Sequence, residues 1–419
     1  MKYGFYFLLI LCLSFGANGQ DKTYAFEVIE KLTSKDFFGR GYINDGHIKA
    51  ANYIASEYEK IGLKSFDDNY LQHFSFSLNQ VVGHPSLKLG AKELELGKDY
   101  IIDPSSPPVQ GSFEVVYLDE KSLPTKQKKL NKCAKSWSGK AVVIDTRKMD
   151  KLQAGVAQQI KYQNYPAAIL VFVDDNKLTA HMSQQKGTTP IVQLKVDEGF
   201  EVPSNVEVSI ESLFYPSIRS QNVVGFLPGE EKADSFIYIT AHYDHLGGMG
   251  EEVFFPGAND NASGIAFLLN MARELSLKPR KYSYVFIAFG AEEVGLVGSQ
   301  HYVSSPLSPL AQIKIVLNFD ILGTGDEGIK VVNATNNLGV FNQLVSLNEA
   351  NQYLKKVGKR GPAANSDHHS FYQKGVPAVF IYTLGGIDAY HDVLDQAATL
   401  PLTKYNDLFA LIQGFLQEL

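Results

Sequence analysis

Ile237-Tyr238-Ile239-Thr240-Ala241-His242-Tyr243-Asp244-His245 is an apolar run that ends abruptly in imidazoles and a carboxylate. Two later runs end the same way: Phe286-Ile287-Ala288-Phe289 leads into Glu292-Glu293, and Ile315-Val316-Leu317-Asn318-Phe319 leads into Asp320. A fourth run, Ala378 to Thr383, follows, and helical patterns fall between and after the runs at Gly264–Leu275, Leu338–Leu354 and Leu402–Leu419. Unbroken apolar strands alternating with helices signify a sheet covered on both faces. The expected fold is therefore α/β, with a mixed, mostly parallel central sheet and helices on both sides. Ligands in such sheets gather outside the carboxyl ends of the strands, so the three polar run ends are expected along one edge.

Two further segments can reach that edge. Pro256-Gly257-Ala258-Asn259-Asp260-Asn261-Ala262-Ser263-Gly264 is a Gly-containing loop before an amphipathic helix, and Tyr390-His391-Asp392 brings a late imidazole. Taken singly, each residue has a bland reading: Asp260 as a helix N-cap, Glu292-Glu293 as a solvated pair, His391 as a surface histidine. Together, two histidines and three carboxylates suit two adjacent Zn²⁺ ions, since one shared carboxylate plus one His and one acid each leaves positions open for water and substrate.

Working outward, Tyr24 to Leu63 carries helical spacing (Ala50, Tyr53, Ile54, Tyr58, Ile61) with Gly62 as a stop, which predicts two helices flanking the Asp45-Gly46 turn. After Tyr70 the texture becomes short and alternating. Between Val82 and Tyr215, strand-like runs alternate with polar, Pro-containing or Lys-rich connections, which reads as a separate β-rich module; Lys121 to Lys135 reads as a solvated loop or helix face. The expected organisation is a leader at 1–19, one domain from 20–81 and 216–419, and an insert at 82–215.

Composition excludes several classes. The chain of 419 residues has 39 basic and 45 acidic side chains, a formal charge of −6, and no Lys/Arg run, which disfavours nucleic acid as a partner. Lys2, the apolar run Phe5 to Phe15 and the small ending Ala17-Asn18-Gly19 match a secretory signal peptide, so a secreted or periplasmic location is expected. Cys12 follows the bulky Leu11, which disfavours lipid anchoring. Removal of the leader leaves Cys133 alone and excludes an intramolecular disulfide. No later stretch reaches the roughly 18 to 20 uncharged apolar residues of a membrane helix.

Ala241 to His245, Pro256 to Gly264, Phe289-Gly290-Ala291-Glu292-Glu293-Val294-Gly295-Leu296, Asn318-Phe319-Asp320, Ser366-Asp367-His368 and Tyr390-His391 resemble, in order, the motifs of the bacterial leucyl aminopeptidase family. Glutamate carboxypeptidase, glutaminyl cyclase and transferrin receptor are related branches. The resemblance runs over Gln221 to Leu419 and includes Phe38-Gly39-Arg40 and the helix near Ala50 to Gly62. The insert is similar to a protease-associated domain, chiefly through Ser138 to Ile144 and Ala167 to Phe172.

The resemblance implies that His242 and Asp320 bind one zinc, Glu293 and His391 the other, that Asp260 bridges them, that Glu292 is the general base, and that Asp244 is the acid behind the His242 ring. It also implies a cis peptide between Asp260 and Asn261, peptide substrates, and release of N-terminal residues. Carboxypeptidase or dipeptidase action stays open as an alternative, followed by glutaminyl cyclisation and a non-catalytic receptor-like role. Two departures are visible: Asn259 where many relatives carry an acid, and Ala363 near the place of a carbonyl-polarising tyrosine, for which Tyr372, Tyr382 or Tyr390 are candidates. Ser366-Asp367 reads as an N-cap for a short helix before Gly375.

Overall fold

A computed structural model describes residues 22–419; the expected leader at 1–19, with Cys12, lies outside the described residues. Helices Lys22–Thr33 and Gly46–Ile61 lead into two long antiparallel strands, β1 (Leu71–Leu89) and β2 (Asn205–Leu227). Four further strands build the central sheet: β3 (Lys232–His242), β4 (Tyr282–Phe289), β5 (Ile313–Phe319) and β6 (Ala378–Leu384). Their spatial order is β6-β5-β3-β4-β2, parallel throughout except for the antiparallel β4–β2 pair. Gly328–Val332 adds antiparallel to β6 at the outer edge.

Every residue of β4 is buried. Tyr282, Tyr284, Phe286 and Ala288 face one core, which is packed by helices Lys22–Thr33, Gly46–Ile61, Ser263–Ser276 and Tyr405–Gln417. Val285, Ile287 and Phe289 face the opposite core with Tyr302 and Phe371. The two-residue period of a strand thus serves two apolar faces, which is why the sequence there shows no polar alternation.

Between β1 and β2 the chain forms a second α/β layer. Val109–Leu118, Ala141–Asp145, Ile169–Asp174 and Ile191–Lys195 are parallel neighbours, and Val109–Leu118 pairs antiparallel with the start of β2, so one 14-stranded sheet runs through both lobes. Helix Gln127–Ala134 lies within Lys121 to Lys135, where a helix face is one of the two readings, whereas the expectation of a β-rich block missed helix Lys151–Tyr162; both helices cover one face of these strands around Trp137. The second helix had a legible start, because Asp150 and Gln153 form a reciprocal capping box. Positions 81/82 and 215/216 fall inside β1 and β2, which cross from one lobe to the other with register shifts at Phe76/Leu78 and Val82/Ser86. No described helix is long and apolar enough to cross a membrane.

Candidate metal centre

Parallel pairing sets the ends of three strands level. Phe289 stands opposite His242, and Asn318 opposite Thr240, so His242, the Glu292-Glu293 turn and Asp320 emerge along one edge. The loop before helix Ser263–Ser276 reaches over the same edge and brings Asp260, and the segment after β6 brings His391. A cleft of ≈ 300 Å³ is lined by His242, Asp260, Glu292, Glu293, Asp320 and His391.

The donor atoms fall into two groups that share one carboxylate. His242 Nε2 lies 3.3 Å from Asp260 Oδ1 and 3.3 Å from Asp320 Oδ1. His391 Nε2 lies 3.2 Å from the other Asp260 oxygen, Oδ2, and 3.1 Å from Glu293 Oε2. Ligand atoms about 2.0 to 2.1 Å from a tetrahedral zinc stand about 3.3 Å from each other, so both groups have the spacing of a zinc-ligand face. Asp320 Oδ1 is buried without a hydrogen-bond partner, a costly state for a carboxylate oxygen unless a cation faces it. The donor set suits zinc.

The surroundings hold these groups in place. Thr240 donates to Asn318, Asn318 Nδ2 donates to Ser366 Oγ at 2.7 Å, and Ser366 Oγ donates to Asp320 Oδ2 at 2.8 Å. Ser366-Asp367 is therefore not the expected cap: neither side chain caps helix His368–Gln373, and the serine hydroxyl is drawn to the carboxylate of Asp320 instead. His242 Nδ1 meets the backbone carbonyl of Asp244 at 3.1 Å, while the Asp244 carboxylate is 3.8 Å away. That carboxylate instead accepts from the backbone N–H groups of Glu292 at 3.0 Å and Glu293 at 3.3 Å, which fixes the turn carrying both glutamates.

Three residues with no assigned role in the sequence reading complete the frame. Asp395 accepts from the backbone N–H groups of Asn259 and Asp260, at 2.8 and 3.0 Å. Arg40, fully buried, donates to the carbonyls of Tyr243, Pro256 and Gly257 at 2.7, 2.6 and 2.8 Å, tying the first helical region to two site loops. His245 Nδ1 meets Glu293 Oε1 at 2.7 Å. Arg40 and His245 lay inside recognisable motifs, whereas nothing marked Asp395. Gly257 has φ 62 and sits against the His245 ring and the Asp260 carbonyl, where a Cβ has no room. The Asp260-Asn261 peptide is cis.

Electrostatics divides the acids. Burial raises the Glu292 carboxyl well above the carboxylate range, reinforced by Asp367 and Glu293 against the opposing pull of His242. Burial acts the same way on Glu293, but His391 and His245 outweigh it and hold that carboxyl at about 2. Of the tyrosines near Ala363, Tyr382 and Tyr390 line the cleft, with Arg360 and Asn365, while the Tyr372 hydroxyl accepts from Asn336 outside it.

A mixed α/β sheet with this shared-carboxylate cluster at its carboxyl edge defines a candidate metalloprotein. Residues 222–416 match the profile of peptidase family M28. Aminopeptidase YwaD of Bacillus subtilis is 30% identical over 230 residues, which make up 52% of this chain and 49% of that protein. A probable lipoprotein aminopeptidase of Mycobacterium tuberculosis, LpqL, is 29% identical over 215 residues, 45% of this chain and 40% of that protein. The chain thus spans about half the length of the curated relatives it matches. A zinc aminopeptidase structure from Bacillus subtilis superposes with a TM-score of 0.70 at 21% identity, covering 94% of each chain. A peptidase M28 precursor from Shewanella amazonensis gives 0.69 at 18% identity over 95% of this chain and 93% of the other. These superpositions carry the fold.

Proposed function

We propose that the chain is an exported di-zinc aminopeptidase that removes N-terminal residues from peptides. The observation that carries this reading is the sharing of Asp260 by two imidazole–carboxylate pairs, with Glu292 beside them on the wall of an open cleft. The names of the family relatives favour N-terminal over C-terminal cleavage, and the apolar run Phe5 to Phe15 supports export.

His242 and Asp320 would hold one ion, Glu293 and His391 the other, and Asp260 both. Two zinc ions so held supply Lewis acidity toward a peptide carbonyl and make water a stronger acid. Glu292 takes the proton of the attacking water and returns it to the leaving amine. The Asp244 carboxylate keeps Glu292 and Glu293 on one rigid turn, so that Glu293 would serve as a ligand while its neighbour Glu292 faces the reacting water. Ile321, Phe380 and Tyr390 give the cleft apolar and aromatic walls for the substrate side chain.

A panel of free, N-acetylated and C-amidated peptides, run on protein with its zinc counted, tests the reading. N-acetylation should abolish cleavage and C-amidation should not; the reverse pattern makes the chain a carboxypeptidase. Glu292→Gln should retain zinc and lose about 10²- to 10⁴-fold in kcat. Near-parent turnover in that variant would remove Glu292 from the chemistry.

A further inference from the structure

The two halves of the cluster are braced from different parts of the chain. His242 and Asp320 take their hydrogen bonds from Asp244 and Ser366, within the family domain. His391 takes its own from Ala180, in the lobe between β1 and β2. Ala180 makes a reciprocal pair with it: the Ala180 carbonyl accepts from His391 Nδ1 at 2.7 Å, and the Ala180 N–H donates to the His391 carbonyl at 3.1 Å. His391 has φ 52, a left-handed conformation that a non-glycine residue keeps only when its surroundings over-determine it.

The same short strap grips the site on either side of that pair. Lys177 Nζ donates to the carbonyl of Asp388 and, at 2.5 Å, to that of Tyr390, so it clamps the backbone immediately before His391. Gln184 Nε2 donates to the Val294 carbonyl at 2.7 Å, immediately after Glu293. The strap is itself fastened to β1, because Ser183 accepts from the Asn79 N–H at 2.9 Å and Gln184 accepts from Ser77 Oγ at 2.8 Å. Eight residues, Lys177 to Gln184, therefore contact both loops that carry Glu293 and His391.

A backbone carbonyl can only accept a hydrogen bond, so Ala180 fixes the proton of His391 on Nδ1 and leaves the Nε2 lone pair toward Asp260 and Glu293. Partners of this kind set the orientation and basicity of a ligating imidazole. We propose that the strap Lys177–Gln184 is a positioning element of the Glu293–His391 half-site and sets zinc affinity there while leaving the His242–Asp320 half unchanged. The inference rests on the two-zinc reading given above.

The test is a chelator-competition titration of zinc on the full chain, comparing the parent with Lys177→Met and Ala180→Gly. The parent should bind two ions, and His391→Ala in the same titration identifies which binding phase belongs to its half. Trp137, the only tryptophan and fully buried, reports through its fluorescence that the second lobe stays folded. Each strap variant should weaken the His391 phase about 10- to 100-fold and leave the other phase at its parent value. Should Lys177→Met unfold the lobe, Ala180→Gly decides, since it removes a single buried methyl, leaves the Lys177 and Gln184 contacts in place and loosens the strap backbone. Equal weakening of both phases, or of neither, with Trp137 still buried overturns the inference alone. A parent that binds fewer than two ions overturns the two-zinc reading and this inference with it.

Discussion

His242 and Asp320 sit where strands end, whereas Glu293 and His391 sit on turns that other parts of the chain must hold. The first pair inherits its position from the register of β3 and β5, in which Asn318 and Thr240 are opposed and hydrogen-bonded. That sheet is packed on both faces, so displacing either ligand would disturb a core. The second pair depends on discrete contacts instead: Asp244 under the glutamate turn, His245 on Glu293, Ala180 on His391. A half-site built into a sheet is rigid by packing; one assembled from turns is only as rigid as its hydrogen bonds, and can be tuned one contact at a time.

The most severe test of that division is the residue both halves share. Asp260→Ala should lower zinc affinity in both binding phases by more than about 100-fold, beyond what loss of an outer partner costs, and abolish turnover. His391→Ala should release one ion only. If Asp260→Ala also releases a single ion, the carboxylate is not a bridge and the halves are independent sites.

A smaller effect is expected at Asp244, which serves the two halves with different atoms. Its carbonyl orients His242, and its carboxylate holds the turn of Glu292 and Glu293. Asp244→Asn keeps the carbonyl and replaces one acceptor oxygen by an amide donor, leaving one of the two N–H groups facing the wrong partner. Turnover should fall about 10- to 100-fold, with the His242 zinc phase unchanged and the Glu293 phase weakened. Weakening of the His242 phase instead would locate the action of the carboxylate on the imidazole, as the sequence resemblance suggested.

What could be read from the sequence follows the same line. The strand-end ligands were visible because strands buried on both faces leave continuous apolar runs, and a carboxylate at the end of such a run is conspicuous. The contacts that hold the ligands in place were harder to read in both halves. Ala180 acts through its backbone, 211 residues from the histidine it orients, and an alanine carries no signal of that work. Asp395 holds two amides of the bridging loop from a stretch without a motif. Ser366 misled because the same hydroxyl that suits an N-cap also suits a carboxylate, and only the position of Asp320 decides between them.

The smallest expected effect lies beneath the strap. Asp103 and Lys161 form an ion pair at 2.8 Å, each side chain 13% exposed. Asp103 also accepts from Ser105, whose carbonyl in turn accepts from the Gly187 N–H just beyond the strap. Burial alone would raise the Asp103 carboxyl, but the Lys161 ammonium and the Ser105 hydroxyl outweigh it and hold it below its usual 3.8. A carboxyl depressed in the folded state contributes its stability above the unfolded value and loses it as pH falls through the folded one, so the contribution should be complete at neutral pH and vanish only below about pH 4. Asp103→Asn should therefore cost roughly 1 to 3 kcal/mol at pH 7, the worth of hydrogen bonds to a charged group. The urea midpoint followed by Trp137 fluorescence should differ between parent and variant at pH 7, and the gap should narrow as pH falls below the usual carboxylate value. A gap independent of pH would mean that the pair holds this lobe by shape and not by charge. If the floor does support the strap, the same variant should also slightly weaken the His391 zinc phase, which ties the least of these effects to the less rigid half of the centre.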